Sequence, residues 1–84
     1  LIHCEIVPAN DWADWRFAPV SDLLLPAPGW EGGELPMRPS IMGTAWHRLH
    51  ELRDPALFTD NGYVYMAYCG GAESGLGIAR VDGL

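Results

Sequence analysis

The stretch Asp54-Pro55-Ala56-Leu57-Phe58-Thr59-Asp60-Asn61-Gly62-Tyr63-Val64-Tyr65-Met66-Ala67-Tyr68-Cys69 decides the reading of this chain. Asn61-Gly62 is the preferred dipeptide of a type I′ hairpin, because both central residues of that turn need φ > 0. On either side of it lie apolar runs of strand length. Tyr63 to Cys69 is rich in aromatic residues and hydrophobic throughout, as expected of a strand buried on both faces. Gly70-Gly71-Ala72-Glu73-Ser74-Gly75 turns the chain again, and Leu76 to Val81 reads as a third strand. Gly77 and Ala79 fall on one face of it, which suits a place where another sheet packs very close. Residues 51–84 thus read as a three-stranded antiparallel meander, a unit that cannot bury both of its faces alone.

Upstream the signals are weaker. Leu1 to Val7 has the length and β-branched content of a strand ended by Pro8. Ala9 to Trp15 carries turn formers and suits a single helical turn capped by Asn10 or Asp11. Val20 to Leu25 is a second apolar run, closed by Pro26 and Pro28, and a hairpin with residues 1–7 is the economical arrangement. Residues 1–26 therefore form one unit and 51–84 another. Between them, 27–50 is a long Pro/Gly-rich loop with isolated large side chains, Trp30, Met37, Ile41, Met42 and Trp46, that argue for pinning onto a surface. The fold class expected is all-β.

Composition narrows the function. The chain has 84 residues, 49% hydrophobic, with net charge −6 and five arginines as its only basic residues apart from histidine. A chain of this size buries only about 60–65% of its unfolded surface. No run reaches the roughly 20 apolar residues of a membrane span, and no basic segment leads an apolar one as in a signal peptide. A soluble protein, with the cytoplasm slightly favoured, is the default. The acidic balance works against a phosphate backbone, so nucleic acid is not an expected partner, and neither is a membrane. Cys4 and Cys69 show no ligand spacing, and reduced, buried thiols fit better than a bridge. The start at Leu1 suggests a processed product or a piece of a longer chain.

Leu52-Arg53-Asp54-Pro55-Ala56-Leu57-Phe58, with Asp60-Asn61-Gly62-Tyr63-Val64-Tyr65 and Ala72 to Ala79, resembles the final blade of the five-bladed β-propeller glycoside hydrolases of the arabinanase, xylosidase and fructosidase type. Blades of that group begin with an Asp-Pro or Arg-Asp-Pro element. Residues 1–26 are similar, more loosely, to the outer strands of a penultimate blade, and 27–46 carry no resemblance. At about 40–50 residues per blade, this length holds at most about two of five. The resemblance implies a carbohydrate as partner, and the remaining blades or a second copy as structural partners. It also implies that the first-blade catalytic base and the central general acid lie outside this chain, so that the isolated chain is inactive. No cofactor and no metal are expected.

Within the meander, the start of the first strand and the turn at 70–75 fall at the same end of the sheet, so Asp54 and Glu73 share a rim. Glycoside hydrolysis employs two carboxylates about 5–5.5 Å or about 6.5–9.5 Å apart, which makes Asp54 and Glu73 the candidate catalytic residues. By the resemblance, Asp54 faces a central cavity beside Arg53, where it accepts hydrogen bonds from sugar hydroxyls or tunes a neighbouring acid. The competing reading is a capping carboxylate before proline, ion-paired to Arg53, with Glu73 a solvated acid in a glycine-rich turn. Arg53, His50 and Trp46 are the candidate substrate-binding residues, and Glu51 is a weaker acid/base candidate. His47 and His50 share a helical spacing but have no third ligand. The tryptophans offer flat faces for sugar rings, though such residues more often supply core area and loop anchors. The alternative function is a stand-alone, non-catalytic β module that binds a ligand or assembles through exposed strand edges.

Overall fold

The computed structural model describes residues 1–83. The chain is all-β, with two antiparallel sheets. Strand β1 (Ile2–Val7) pairs with β2 (Arg16–Asp22), and β3 (Leu52–Asp60), β4 (Tyr63–Gly70) and β5 (Gly75–Val81) form a meander with β4 in the middle.

The hairpin β1–β2 turns through a 3-10 turn at Trp12–Asp14, capped by Asp11, whose Oδ1 accepts the Ala13 amide at 3.0 Å. The second strand starts at Arg16 rather than at Val20, and includes Pro19. A proline lacks the N–H of the ladder and is tolerated at edges and irregularities. The register accordingly slips here, with Cys4 opposite Pro19 and His3 opposite Ser21. Leu23 and Leu24, expected in the strand, leave it and pack against the second sheet instead.

The meander keeps a tight register. Asn61 and Gly62 adopt φ of 51° and 81°, the two positive values that the hairpin turn requires. The other turn has Gly71 and Ala72 at φ 58° and 61°. Ala72 is fully buried there, and its amide donates to the Glu51 carbonyl at 3.0 Å, while the Gly71 amide donates to the Glu31 carbonyl at 2.9 Å. Near the start of β3, Asp54 and Pro55 together oppose a single residue of β4, since Arg53 pairs with Cys69 and Ala56 with Ala67. Asp54 sits in this bulge at φ 54°, a left-handed conformation that aspartate tolerates better than most residues.

One face of the meander forms the core, where Met66, Tyr68 and Val81 are buried against Leu1, Leu23, Leu24 and Leu52. The opposite face presents Ile78 and Leu76 to solvent, beside a stacked Phe58–Tyr65 pair with centroids 5.4 Å apart. The β4 strand is thus fully buried on one face only, in contrast to the two-sided burial its composition suggested. Nor does a second sheet lie on Gly77. The close neighbours of Gly77 are the rings of Tyr68 and Trp30, at 2.6 and 3.0 Å from where a Cβ would stand. Both cysteines are free and half-buried rather than fully buried.

Residues 23–51 contain no regular element, but they are anchored. Glu31 is 8% exposed, with one carboxylate oxygen accepting the Ala27 amide at 2.8 Å and the other the Tyr68 hydroxyl at 2.6 Å. The whole chain exposes 6425 Å², whereas a globular monomer of this mass exposes about 4,900 Å². Its radius of gyration is 14.8 Å, against about 12 Å for a compact domain of this length. The surplus surface resides in the strand faces and in the loop.

Candidate functional site

The end of the meander where β3 begins and β4 turns into β5 gathers the charged residues. Arg53 is the hub. Its Nε donates to Glu51 Oε2 at 2.6 Å and its Nη1 to the Gly43 carbonyl at 2.9 Å and to Glu73 Oε1 at 3.4 Å. Its Nη2 donates to the Ile41 carbonyl at 3.3 Å. A guanidinium has five N–H donors, so with four bonds made, one Nη2 hydrogen has no partner among the described residues. The side chains of Arg53 and Glu51 are each 14% exposed. The Glu51 hydrogen bond, with the charges of Glu51 and Glu73, pushes Arg53 above its ordinary pKa in spite of some desolvation.

Cys69 pairs with Arg53, next to Asp54 in the bulge, and Glu73 meets Arg53 at 3.4 Å. The thiol of Cys69 is pushed up, first by burial and then by the charges of Asp54 and Glu73. A thiol held protonated in this way is a poor nucleophile. The bulge at Asp54 explains the placement. Without the extra residue, the alternation of side chains beyond Arg53 would be reversed.

His50 lies on the loop side of this end. Its Nδ1 donates to the Leu35 carbonyl at 2.9 Å, the only direction this bond can run, since a carbonyl only accepts. In neutral His50 the other nitrogen, Nε2, is therefore an acceptor. With Arg38, Ile41, His47 and Glu51 it lines a cleft of about 430 Å³. A neighbouring cleft of about 270 Å³ runs from His50 and Glu51 past Arg53 to Ser40 and Met37. Trp46 stands apart from both clefts and is 87% exposed. Among the described residues, no group of three or more histidine, cysteine or acidic side chains is arranged to hold a metal ion. No helix of the described residues is long and apolar enough to cross a membrane.

A second polar cluster went unnoticed in the sequence. Glu34 accepts from Arg48 Nη2 at 2.8 Å and from the Gly29 amide at 2.9 Å, and Arg48 also donates to the Gly29 carbonyl. The Arg48 hydrogen bond, helped by the amides of Glu34 and Gly29, holds the exposed Glu34 carboxyl down at about 2. Beside this cluster the Trp30 indole lies over Gly70, Gly75 and Gly77, and stacks with Tyr68 at a centroid distance of 6.1 Å. The one advance signal was the spacing of the three glycines, which only the strand register turns into a single surface: Gly70 pairs with Gly75, and Gly77 with Tyr68.

Tyr68 itself supplies a test of the buried pair. Its hydroxyl is pushed up to about 12, first by the hydrogen bond to Glu31, then by burial and the carboxylate charge. The folded state favours the protonated phenol, so this stabilisation is complete below the ordinary value of 10.0 and is lost as pH rises towards about 12. A tyrosinate absorbance step near pH 12 is expected, absent from Tyr68→Phe and moved to about 10 in urea.

No family model matches the chain, and no solved structure matches it. Among curated proteins, the uncharacterized protein R118 of Acanthamoeba polyphaga mimivirus is 40% identical over 82 residues, a match that covers 96% of this chain and 23% of R118. The chain spans about a quarter of the length of that relative.

Proposed function

We propose that this chain supplies partial blades of a five-bladed β-propeller glycoside hydrolase, contributing one rim of a sugar-binding cavity. The supporting observation is the cluster at one end of the meander, where Arg53 ties Glu51 to Glu73 and the bulge places Asp54 beside Cys69. In this reading Asp54 and Glu73 are the carboxylates that face the sugar, accepting hydrogen bonds from hydroxyls or supporting a catalytic acid on another blade. The remaining Nη2 hydrogen of Arg53 and the Nε2 acceptor of His50 bind hydroxyls across the adjoining clefts, while Trp46, which lines neither cleft, has no part in this reading.

The surplus of about 1,500 Å² over a compact monomer fits a sheet that continues into others. A relative roughly four times as long as the matched segment has room for such sheets. The same surplus also favours a second reading, a non-catalytic β module that assembles through its open strand edges.

The experiment is hydrolysis of aryl α-L-arabinofuranoside, aryl β-D-xyloside and sucrose by the longest natural polypeptide that carries this segment, with Asp54→Asn and Glu73→Gln beside it. Turnover of one substrate is expected, with kcat/KM lowered at least tenfold in each variant while circular dichroism is unchanged. Turnover on none of the three, together with a defined oligomer of the 84-residue chain, would favour the assembling module instead.

A further inference from the structure

The cleft of about 430 Å³ lies between two arms of the long loop, 36–41 and 47–51. Both arms are fixed. The first is held at the Leu35 carbonyl by His50 Nδ1 and at the Ile41 and Gly43 carbonyls by Arg53, and Pro36 and Pro39 restrict its φ angles further. The second is held by Arg48 on Glu34 and by Glu51 on Arg53. Held on both sides, the cleft leaves apolar surface open, with Ile41 78% exposed.

Its polar groups are divided between two ends. A smaller cleft of about 220 Å³ shares Pro36, Arg38, His47 and Leu49 with it and adds Arg48, whereas the cleft of about 270 Å³ shares only His50 and Glu51 and adds Arg53. Arg38 and His47 therefore mark one end, and His50 and Glu51 the other. Pro39 and Ile41, which line neither neighbouring cleft, fall between them. The first end is cationic. Arg48, Arg53 and Arg80 each face a carboxylate, but Arg38 has no carboxylate partner among the described residues, in a chain of net charge −6. The second end accepts. Neutral His50 offers Nε2 because Nδ1 donates to Leu35, and Glu51 commits Oε2 to Arg53, which leaves Oε1.

We propose that this cleft binds a small organic carboxylate, with its charged group on Arg38 beside His47, its hydrocarbon body on Pro39 and Ile41, and a donor at its far end on His50 Nε2 or Glu51 Oε1. A guanidinium meets a carboxylate through two parallel N–H bonds. Mostly apolar clefts of about 300–1,000 Å³ with a few placed polar groups are the usual form of a small-ligand site. A phosphate monoester is disfavoured, because its second negative charge meets Glu51 in the same cleft and neither a lysine nor a second arginine lines it. The proposal goes beyond the sugar reading, in which Arg38 and His47 have no part.

The test is calorimetric titration of the longest natural polypeptide that carries this segment with ε-aminocaproate, caproate, hexylamine and hexyl phosphate. The first has both polar ends, and each of the others lacks or changes one. Saturable binding of ε-aminocaproate is expected, about threefold tighter than caproate and at least about tenfold tighter than hexylamine or hexyl phosphate. Arg38→Met should weaken it at least about tenfold, His47→Gln about threefold, and Arg38→Lys, which keeps the charge but not the fork, less than Arg38→Met. Arg38 is exposed, so circular dichroism should be unchanged in its variants. No saturable binding of ε-aminocaproate, equal binding in Arg38→Met, or hexylamine binding as tightly would overturn the proposal. Tighter binding of hexyl phosphate would overturn it in favour of a phosphate. Arg38-dependent binding without hydrolysis of any glycoside would uphold the carboxylate site and count against the sugar reading. Hydrolysis without such binding would do the reverse.

Discussion

Glu31→Ala is expected to destabilise the fold by about 2–4 kcal/mol. The carboxylate is 8% exposed and holds the Tyr68 hydroxyl and the Ala27 amide on its two oxygens. A hydrogen bond to a charged group contributes roughly 1.5–3 kcal/mol, and leaving a buried donor without a partner costs about 1–3 kcal/mol. Tyr68 is 7% exposed and lies in the core, so its hydroxyl cannot turn to water without moving the ring. Urea unfolding followed by tryptophan fluorescence measures the effect. With a slope of about 1 kcal/mol per molar, a loss of this size moves the midpoint by about 2–4 M, enough to leave a marginal domain largely unfolded in buffer. Glu31→Gln keeps an oxygen for only one of the two donors, although its NH2 can donate to the Tyr68 hydroxyl oxygen if the oxygen stays on the Ala27 amide, so it should lose about 1–2 kcal/mol, less than Glu31→Ala. A Glu31→Ala midpoint within 0.5 M of the parent would show that the pair does not hold the loop.

Gly77→Val is expected to cost about 2–3 kcal/mol, against a local preference that runs the other way. Valine is the better strand former by up to roughly 1 kcal/mol, so propensity alone would make the change favourable. The packing decides the sign. A Cβ at this position falls 2.6 Å from Tyr68 Cζ, 2.7 Å from its hydroxyl and 3.0 Å from Trp30. Overpacking of a filled site costs about 1–3 kcal/mol, and here it also disturbs the Tyr68–Glu31 bond. A red shift of tryptophan emission should accompany the loss, since the indole must leave its seat. Ile78→Val, one residue away on the exposed face of the same strand, should change stability by less than about 0.5 kcal/mol. Equal behaviour of the two variants would show that Trp30 is not seated on these glycines.

The meander was legible because its determinants are local. Asn61-Gly62 specifies its own turn, and the aromatic-rich, hydrophobic run after it specifies a strand whatever lies around it. What the sequence left open was long-range. Glu31 and Tyr68 are 37 residues apart, and no pattern in either neighbourhood announces the other. The second strand was misplaced for a related reason. Leu23 and Leu24 look like strand residues, but their apolar surface goes into the core of the other sheet, while Phe17 to Val20 complete the hairpin around Pro19. Of the candidate site, Asp54, Arg53 and Glu73 follow from strand order alone and do gather at one end. Their hydrogen-bond partners at Ile41 and Gly43 lie in an aperiodic loop that no periodicity could place.

The turn between β4 and β5 holds both ends of that loop. The Gly71 amide takes the carbonyl of Glu31 and the Ala72 amide takes that of Glu51, so two adjacent residues clasp a segment of twenty-odd residues at its base. Such a clasp imposes a sequence of events in time. A hairpin forms in about 1–10 μs from neighbours along the chain, whereas closing the longer segment carries a larger entropic cost and has nothing to close onto until Gly71 and Ala72 are set at positive φ. The hairpin β4–β5 is therefore expected to form before this segment closes: substitutions at its turn should slow refolding in stopped-flow experiments, while those at Trp30 or Glu31 should chiefly hasten unfolding.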